Sequence, residues 1–411
     1  MYSESVLLIA ATTGYQTEAF RQAAERLQIP LLLATDRCHV LPDPWGDRAI
    51  PVRFEDPHAS ASLLLHSLER PPRGVVALGD AQARLAAQAA ACWELPFHPL
   101  EATVAAADKW LARRRFEQAG LLVPRYACIE DHSRSPVGYP CVVKPTDLSA
   151  SRGVIRVNDD SQFPSAVRRV QAILASPDVR RLHPACRIYA EEYIPGTEFA
   201  AEALMTYGSL RLLALFDKPD PLEGPFFEET IYVTPSRAPA DIQQAIETTL
   251  AQACRALGLW HGPVHAEMRV NDRGVWILEV AARPIGGLCA RALRFQPDIT
   301  LEELLLLHAH DPHSVASLQR QAQASAVMMI PIPKSGVFQS ASGEQQARSV
   351  PGIIDVVITA KPGQRLLQLP EGHSYLGFLF ACADTPQEAE SALRRAHSLL
   401  SFDIAQDLLL S

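Results

Sequence analysis

The chain has 411 residues, 48% hydrophobic and 20% charged, with a formal net charge of −8 at pH 7. That size and apolar content suit two to four domains with buried cores, and the acidic balance excludes bulk nucleic-acid binding. No apolar run is long enough to span a membrane, MYSESVLLIAATTGY reads as a first strand and not a signal peptide, and the eight cysteines include no C-x-x-C pair, which predicts reduced thiols and a cytoplasmic location.

Strand and helix signals alternate over the first hundred residues. SVLLIAA, PLLLAT and GVVALGD read as strands; TEAFRQAAERLQ and AQARLAAQAAACWEL read as helices. This is a βαβ pattern with a parallel sheet. TTGY after the first strand is not a G-x-G-x-x-G loop, so dinucleotide binding has little support. Residues 101–122 are helical and end at a glycine. VPRYACIE, YPCVVKP and GVIRV follow as strands, then the helix SQFPSAVRRVQAIL. CRIYAEEYI begins a second group of strands, continued by EFAAEALMTYG and SLRLLALFDK. The helix ADIQQAIETTLAQACRALG leads into HGPVHAEMRVNDRGVWILEVAARPIGG, residues 261–287. LEELLLLHA is a further helix. From about 325 a small α+β module takes over.

The 261–287 stretch reads as a hairpin. With Asp272–Gly274 as its loop, Val270 faces Trp276 and Glu267 falls opposite Glu279. Alternation puts His265, Glu267, Arg269, Glu279 and Ala281 on one face. Val264, Ala266, Met268, Val270, Trp276, Leu278 and Val280 form the other, apolar face. Directly opposed residues have Cβ atoms about 4.5–5.5 Å apart, and like charges there are unfavourable unless a cation lies between them. The functional reading is a divalent-cation site of hard carboxylate oxygens. The competing reading is a solvated face with Arg269 and His265 as counter-charges.

Other pieces precede it in order. Lys109 lies in a helical stretch, and Lys144 ends an apolar strand, a placement suited to phosphate or simply to solvent. TDLSASRGV, with Ser151 and Gly153, is a small-residue loop that exposes N–H groups to anions. IYAEEYIPGTEF offers extended backbone at Glu191, Glu192, Tyr193 and Ile194 for a base edge, and Glu198 for ribose hydroxyls; a strand followed by a Pro-Gly turn is the plainer account. HAHDPH reads as a helix end more readily than as a metal site. Together the pieces suit ATP with magnesium, or manganese in its place.

This series resembles the ATP-grasp superfamily over roughly residues 105–310. The matching features are Lys109, Lys144 with SRGV, EEYIPGTE, and Glu267 and Glu279 followed by Arg283. HAEMR, FDKPDPLEGPFFEET and RPIGG are more similar to the L-amino-acid ligase branch than to the bicarbonate-activating or purine-synthesis branches. The resemblance implies an α/β and α+β architecture: a Rossmann-like βαβ domain over 1–100, ATP-grasp subdomains over 101–187 and 188–320, and a small C-terminal α+β module over 321–411. It implies phosphate contacts by Lys109 and Lys144, adenine contacts by 191–194, ribose contact by Glu198 and metal ligation by Glu267 and Glu279. The reaction implied is carboxylate–amine ligation through an acyl phosphate, with Arg283 on the oxyanion. Gly286 and Gly287 then approach the acid substrate, His265 contacts substrate or relays a proton, and Lys218, Glu228 and Arg269 line the substrate pocket. A homodimer is a family-based expectation; a nucleic-acid or membrane partner is not expected. Two positions depart from the family. Ala281 stands where relatives place an asparagine ligand, and Ser149 and Ala150 stand where many have glycine. Two alternatives remain at this stage: activation of bicarbonate or another small acid, and ATP binding without turnover.

Overall fold

The computed structural model describes residues 4–12, 16–36 and 49–406. Strands Val6–Ala10, Leu31–Thr35, Ala49–Pro51 and Gly74–Leu78 form a parallel sheet in the spatial order third, second, first, fourth. VLLIA and LLLAT are buried at every residue. Such runs belong to strands covered on both faces: Phe20 and Ala23 pack on one side and Leu64 and Leu85 on the other. The short strand Ala49–Pro51 and the helix Pro57–Ser67 were not expected. Three half-buried residues carry no periodicity, and the helix has its apolar residues spread around the axis. The TTGY turn lies outside the described residues except for Thr12.

The single helix expected over 101–122 is two, Leu100–Ala107 and Lys109–Gln118. The break is at Asp108, whose carboxylate accepts the N–H of Leu111 and so caps the second helix. Lys109 therefore opens a helix, and its N–H donates to the Thr146 carbonyl beside Lys144.

Tyr126–Cys128, Ile188–Glu192, Cys141–Pro145 and Ile155–Val157 form an antiparallel sheet in that order. Ile188–Glu192 is an inner strand of it. The expected boundary at 188 thus falls too early; the chain leaves this sheet at Tyr193–Gly196.

The largest sheet has eight strands, in the order Gly274–Ala281, Gly262–Asn271, Thr197–Thr206, Ser209–Asp217, Ile231–Thr234, Ala324–Ile330, Gly377–Ala383, Ile353–Ile358. The last three come from beyond residue 321. The C-terminal module therefore extends the preceding sheet through the pairs Ile231↔Met328 and Thr234↔Ser325. It adds a three-stranded sheet and the helix Pro386–His397, which begins with a Thr385/Glu388 capping box. On the large sheet Ile246, Leu250 and Leu257 of helix Ala240–Leu257 pack against Val264, Ala266 and Met268. Among the described residues no helix is long and apolar enough to cross a membrane.

Candidate active site

The hairpin pairs Glu267 with Glu279, but by another route than the one expected. Its turn is Asp272–Arg273, flanked by Asn271↔Gly274, and Val270 faces Val275 instead of Trp276. Gly274 has φ +126°, a value open to glycine. One extra residue, Leu278, then forms a β-bulge that brings Glu279 back opposite Glu267. The bulge also switches faces. Val275 and Ile277 join the core cluster of Met268, whereas Leu278 and Trp276, though Trp276 is itself buried, lie outside that cluster. Leu278 lines the cleft, and its carbonyl accepts from Arg113 Nη2 at 2.8 Å.

That cleft has a volume of about 630 Å³ and runs between the N-terminal domain, the four-stranded sheet and the eight-stranded sheet. It brings together Lys109, Lys144, Ser151, Glu191, Glu192, Tyr193, Ile194 and Glu198 with His265, Glu267, Arg269, Glu279, Arg283, Gly286 and Gly287. Three expected residues are not on its wall. Gly153 donates its N–H to the Pro370 carbonyl, and a Cβ there would press on Pro145. Glu228 borders a small side cavity instead, and its neighbour Glu229 faces the cleft. Lys218 is buried behind the acids, where its Nζ meets Glu198 at 2.8 Å, Glu229, and Glu267 at 3.6 Å. Arg269 lines the cleft but spends its donors inside the protein, on Glu198 (2.8 Å), the Ile194 carbonyl (2.7 Å) and the Leu222 carbonyl.

Around Lys109 and Lys144 the cleft wall is a chain of ion pairs. Lys109 Nζ donates to the Leu148 carbonyl at 2.6 Å and lies 3.1 Å from Glu279. Lys144 pairs with Glu191, which Arg113 meets from the other side at 3.1 Å. Burial opposes the charge of Glu191, yet Arg113 and Lys144 hold its carboxyl down to about 2. Lys144 moves the other way. Burial, with Arg113 and Lys109 nearby, brings it down to about 8 against the pull of Glu191. Ala150 and Ser151 of the small-residue loop both have positive φ, +54° and +55°. Non-glycine residues rarely adopt that backbone, and it recurs in ligand clamps.

Around Tyr193 the cleft wall is built from backbone and rings. Tyr193 donates its N–H to the Pro140 carbonyl. Its ring stacks on Phe227 with centroids 6.3 Å apart, under the Arg156 guanidinium at 4.0 Å. Glu192 pairs with Arg125 at the rim. Both oxygens of Glu198 already accept, from Lys218 and from Arg269. A carboxylate has about four lone-pair sites, so capacity for a hydroxyl remains.

Glu279 and Glu267 differ sharply. Burial opposes the charge of Glu279, but Lys109 and Arg283 bring its carboxyl down to about 2. Glu267 has no cation within 3.5 Å among the described residues; Lys218 is at 3.6 Å and His265 Nε2 at 3.9 Å. Burial and the neighbouring Glu229 push it up to about 8. Such a carboxyl facing a second one fits a hard divalent cation, which Glu267 and Glu279 would hold together. Glu198, Glu229 and Glu267 also converge, with ligating oxygens within 4.8 Å of one another, but the Lys218 ammonium sits against all three. Ala281 is buried against the strand bearing His265 and is not on the cleft wall.

Two site residues were missed in the sequence. Glu202 is fully buried, 3.2 Å from His265 Nδ1, and accepts the Ile285 N–H. It lies four positions after Glu198 on one strand, so period-two alternation could have found it. Glu229 was passed over for its neighbour Glu228, since two adjacent acids in an irregular loop give no signal of direction.

A family model described as an ATP-grasp domain matches residues 137–292. The chain's C-terminal module matches the L-amino acid ligase C-terminal domain 2 over residues 328–405, the feature that sets the chain beside the L-amino acid ligases. The crystal structure of the L-amino acid ligase from Bacillus licheniformis superposes with a TM-score of 0.84 at 26% identity, covering 99% of this chain and 100% of that one. The D-alanine–D-alanine ligase of Aromatoleum aromaticum is 30% identical over 193 residues, 44% of this chain and 58% of that protein. The alanine–anticapsin ligase of Bacillus subtilis is 29% identical over 206 residues, 46% of this chain and 43% of that protein. The chain thus spans less than two thirds of the length of these curated relatives.

Proposed function

We propose that this protein is an ATP-dependent carboxylate–amine ligase that joins an amino acid or similar small carboxylate to an amine, with release of ADP and phosphate. The observation that carries the reading is the convergence, in one cleft, of the opposed Glu267 and Glu279 with Arg283, Lys109, Lys144 and the Glu191–Ile194 backbone. In this reading Lys109, Lys144 and the loop at Ser151 hold the phosphates. The extended backbone of 191–194 takes the adenine edge, and Glu198 takes a ribose hydroxyl. Glu267 and Glu279 would hold a divalent cation, which would supply charge neutralisation at the phosphates.

A carboxylate oxygen of the acid attacks the γ-phosphorus, the bond to the β-bridging oxygen breaks, and ADP leaves. The amine nitrogen then attacks the acyl carbon, gives up a proton, and phosphate departs. No enzyme nucleophile is needed, so rate comes from positioning and charge. Arg283 offers a planar fork suited to an acyl phosphate. A side chain at Gly286 would meet nothing within 4 Å, so the backbone there is open to an approaching acid.

The test is ADP release measured with pairs of L-amino acids, with single amino acids, and with bicarbonate. Release with an amino-acid pair, and a hydroxamate on trapping with hydroxylamine, supports the reading. Release with bicarbonate alone favours small-acid activation. Nucleotide binding without release under any condition removes the catalytic reading.

A further inference from the structure

The segment Arg283–Gly287 carries the groups on which the ligase reading depends, yet part of what holds it belongs to the N-terminal domain. Asp80 Oδ1 lies 3.4 Å from Arg283 Nε. Gln16 Nε2 donates to the Ile285 carbonyl at 2.6 Å in a buried contact. Both residues sit just beyond the carboxyl ends of parallel strands, Gln16 after Val6–Ala10 and Asp80 after Gly74–Leu78. From the opposite side Glu202 accepts the Ile285 N–H. Ile285 is thus held at both its N–H and its carbonyl, by two different domains.

The local fold around Asp80 is built for this placement. Gly79 has φ +124°, and a Cβ on it would stand 2.2 Å from Gln82 Oε1. Only glycine makes that turn without displacing Gln82. The turn sets Asp80 in the first turn of helix Asp80–Cys92, where free N–H groups favour a carboxylate.

We propose that Asp80 and Gln16 are positioning residues, an N-terminal clamp that aims the Arg283 fork and the Gly286–Gly287 backbone at the acyl phosphate; this rests on the ligase reading and deepens it. A guanidinium is planar, so fixing Nε fixes the direction of both terminal nitrogens. Arg283 Nη1 also donates to the Pro284 carbonyl at 3.1 Å, and the rest of the fork faces the cleft. Gln16 fixes the peptide planes that lead into Gly286. A displacement of 1 Å at such a group costs on the order of a hundredfold in rate. The site is therefore complete only with the N-terminal domain docked.

The experiment compares wild type with Asp80→Ala, Asp80→Asn and Gln16→Leu in the full chain. Steady-state ADP release is expected to show kcat lower by about ten- to a hundredfold in Asp80→Ala, with the KM for ATP within about twofold. Asp80→Asn should recover at most part of the loss, because its amide oxygen keeps the place but not the charge of the 3.4 Å ion pair. Gln16→Leu should lower kcat in the same sense. A wild-type kcat in Asp80→Ala overturns the proposal, as does a raised amine KM at unchanged kcat, which makes Asp80 a substrate contact. The side-chain Nε–H signal of Arg283, identified by its loss in Arg283→Lys, gives a reading independent of turnover. It should shift and exchange faster in Asp80→Ala; an unchanged signal overturns the clamp. An inactive wild type with a shifted signal sinks the ligase reading alone.

Discussion

In the proposed reading Lys144 would need its proton to hold phosphate, and its surroundings make that proton easy to lose. Burial and the cations Arg113 and Lys109 lower it to about 8, against an ordinary lysine near 10.4. Above pH 8 the free protein therefore carries a growing fraction of neutral Lys144. ATP affinity is expected to fall as pH rises from 7 to 9, and calorimetric titration across that range checks it. Lys144→Ala should weaken binding about tenfold at pH 7 and flatten the profile. Equal affinity in the variant would remove Lys144 from the phosphate site.

The paired glutamates make a sharper prediction, because their charges are held so differently. Without metal, Glu267 at about 8 is mostly protonated at neutral pH, and an amide imitates that form. Glu279 is ionised and balances the buried Lys109. Glu267→Gln should thus change stability by less than about 1 kcal/mol. Glu279→Gln should cost about 3 kcal/mol, because it leaves a buried ammonium without its partner. Both should lose most turnover at any practical magnesium concentration if the two acids share a cation. Urea denaturation and a magnesium titration of the three proteins decide it. Equal stability loss in both variants would contradict the charge assignment, and wild-type turnover in either would contradict the shared cation.

At the scale of single elements, the chain joins its domains through three buried histidines. His98 accepts the Trp260 N–H at Nδ1 and reaches the Pro263 carbonyl through Nε2, so one nitrogen accepts while the other donates and the ring is neutral. His261 stacks on His308 with ring centroids 4.3 Å apart, and His308 pairs with Thr206. Burial lowers His98 and His261 to about 4 and His308 to about 3. The unfolded chain takes up these protons near pH 6.5 and the folded one does not. Stability therefore falls as pH drops from about 6.5 toward 4, by about 3 kcal/mol for His98 alone. The urea midpoint should decline already between pH 6.5 and 5, before most carboxylates titrate. His98→Gln, which keeps one donor and one acceptor, should decline less. A midpoint flat to pH 5 would rule the histidines out.

Elements were legible where periodicity is strong. The runs VLLIA and LLLAT, the helix Ala240–Leu257 and the alternation of VHAEMRV each declare their buried side. What could not be read is where an extra residue is absorbed. The expected Glu267–Glu279 pair is present, but a shorter turn and the Leu278 bulge cancel each other, and Trp276 and Leu278 exchanged faces with Val275 and Ile277. Bulges conserve the ends of a hairpin and invert its middle, so a correct pairing can conceal a wrong face. Lys218 was hard for another reason. Its place behind the acids comes from Glu229, 11 residues away, and such a contact leaves no local pattern.

At the scale of the whole molecule, the C-terminal module is continuous with the sheet that bears the site. Met328, Leu379 and Leu393 share a core with Ile231 and Val233. Its loop also reaches back to the small-residue loop before Ile155–Val157, where Pro370 accepts the Gly153 N–H and the Glu371 carbonyl accepts from Arg152 Nε at 3.1 Å. Tyr375 and Met329 line the cleft itself. Deleting residues 321–411 should therefore give insoluble protein, not a smaller active ligase, because it bares the Ile231–Thr234 edge and its apolar face. Soluble yield and ADP release of the truncated chain measure this. A soluble, active 1–320 fragment would show the module to be an accessory.

The shared sheet also sets a rule for recombination. A crossover at residue 321 looks natural from chain order, but it would split Ile231–Thr234 from the partner strand Ala324–Ile330. A hybrid made there inherits two halves of a ladder whose registers were never matched. Exchange between homologous chains is tolerated only if both strands travel together, and they are separated by the helix Ala240–Leu257 and the whole glutamate hairpin. Whatever the tail contributes to selectivity is thus inherited with the metal-type acids and Arg283 as one indivisible block.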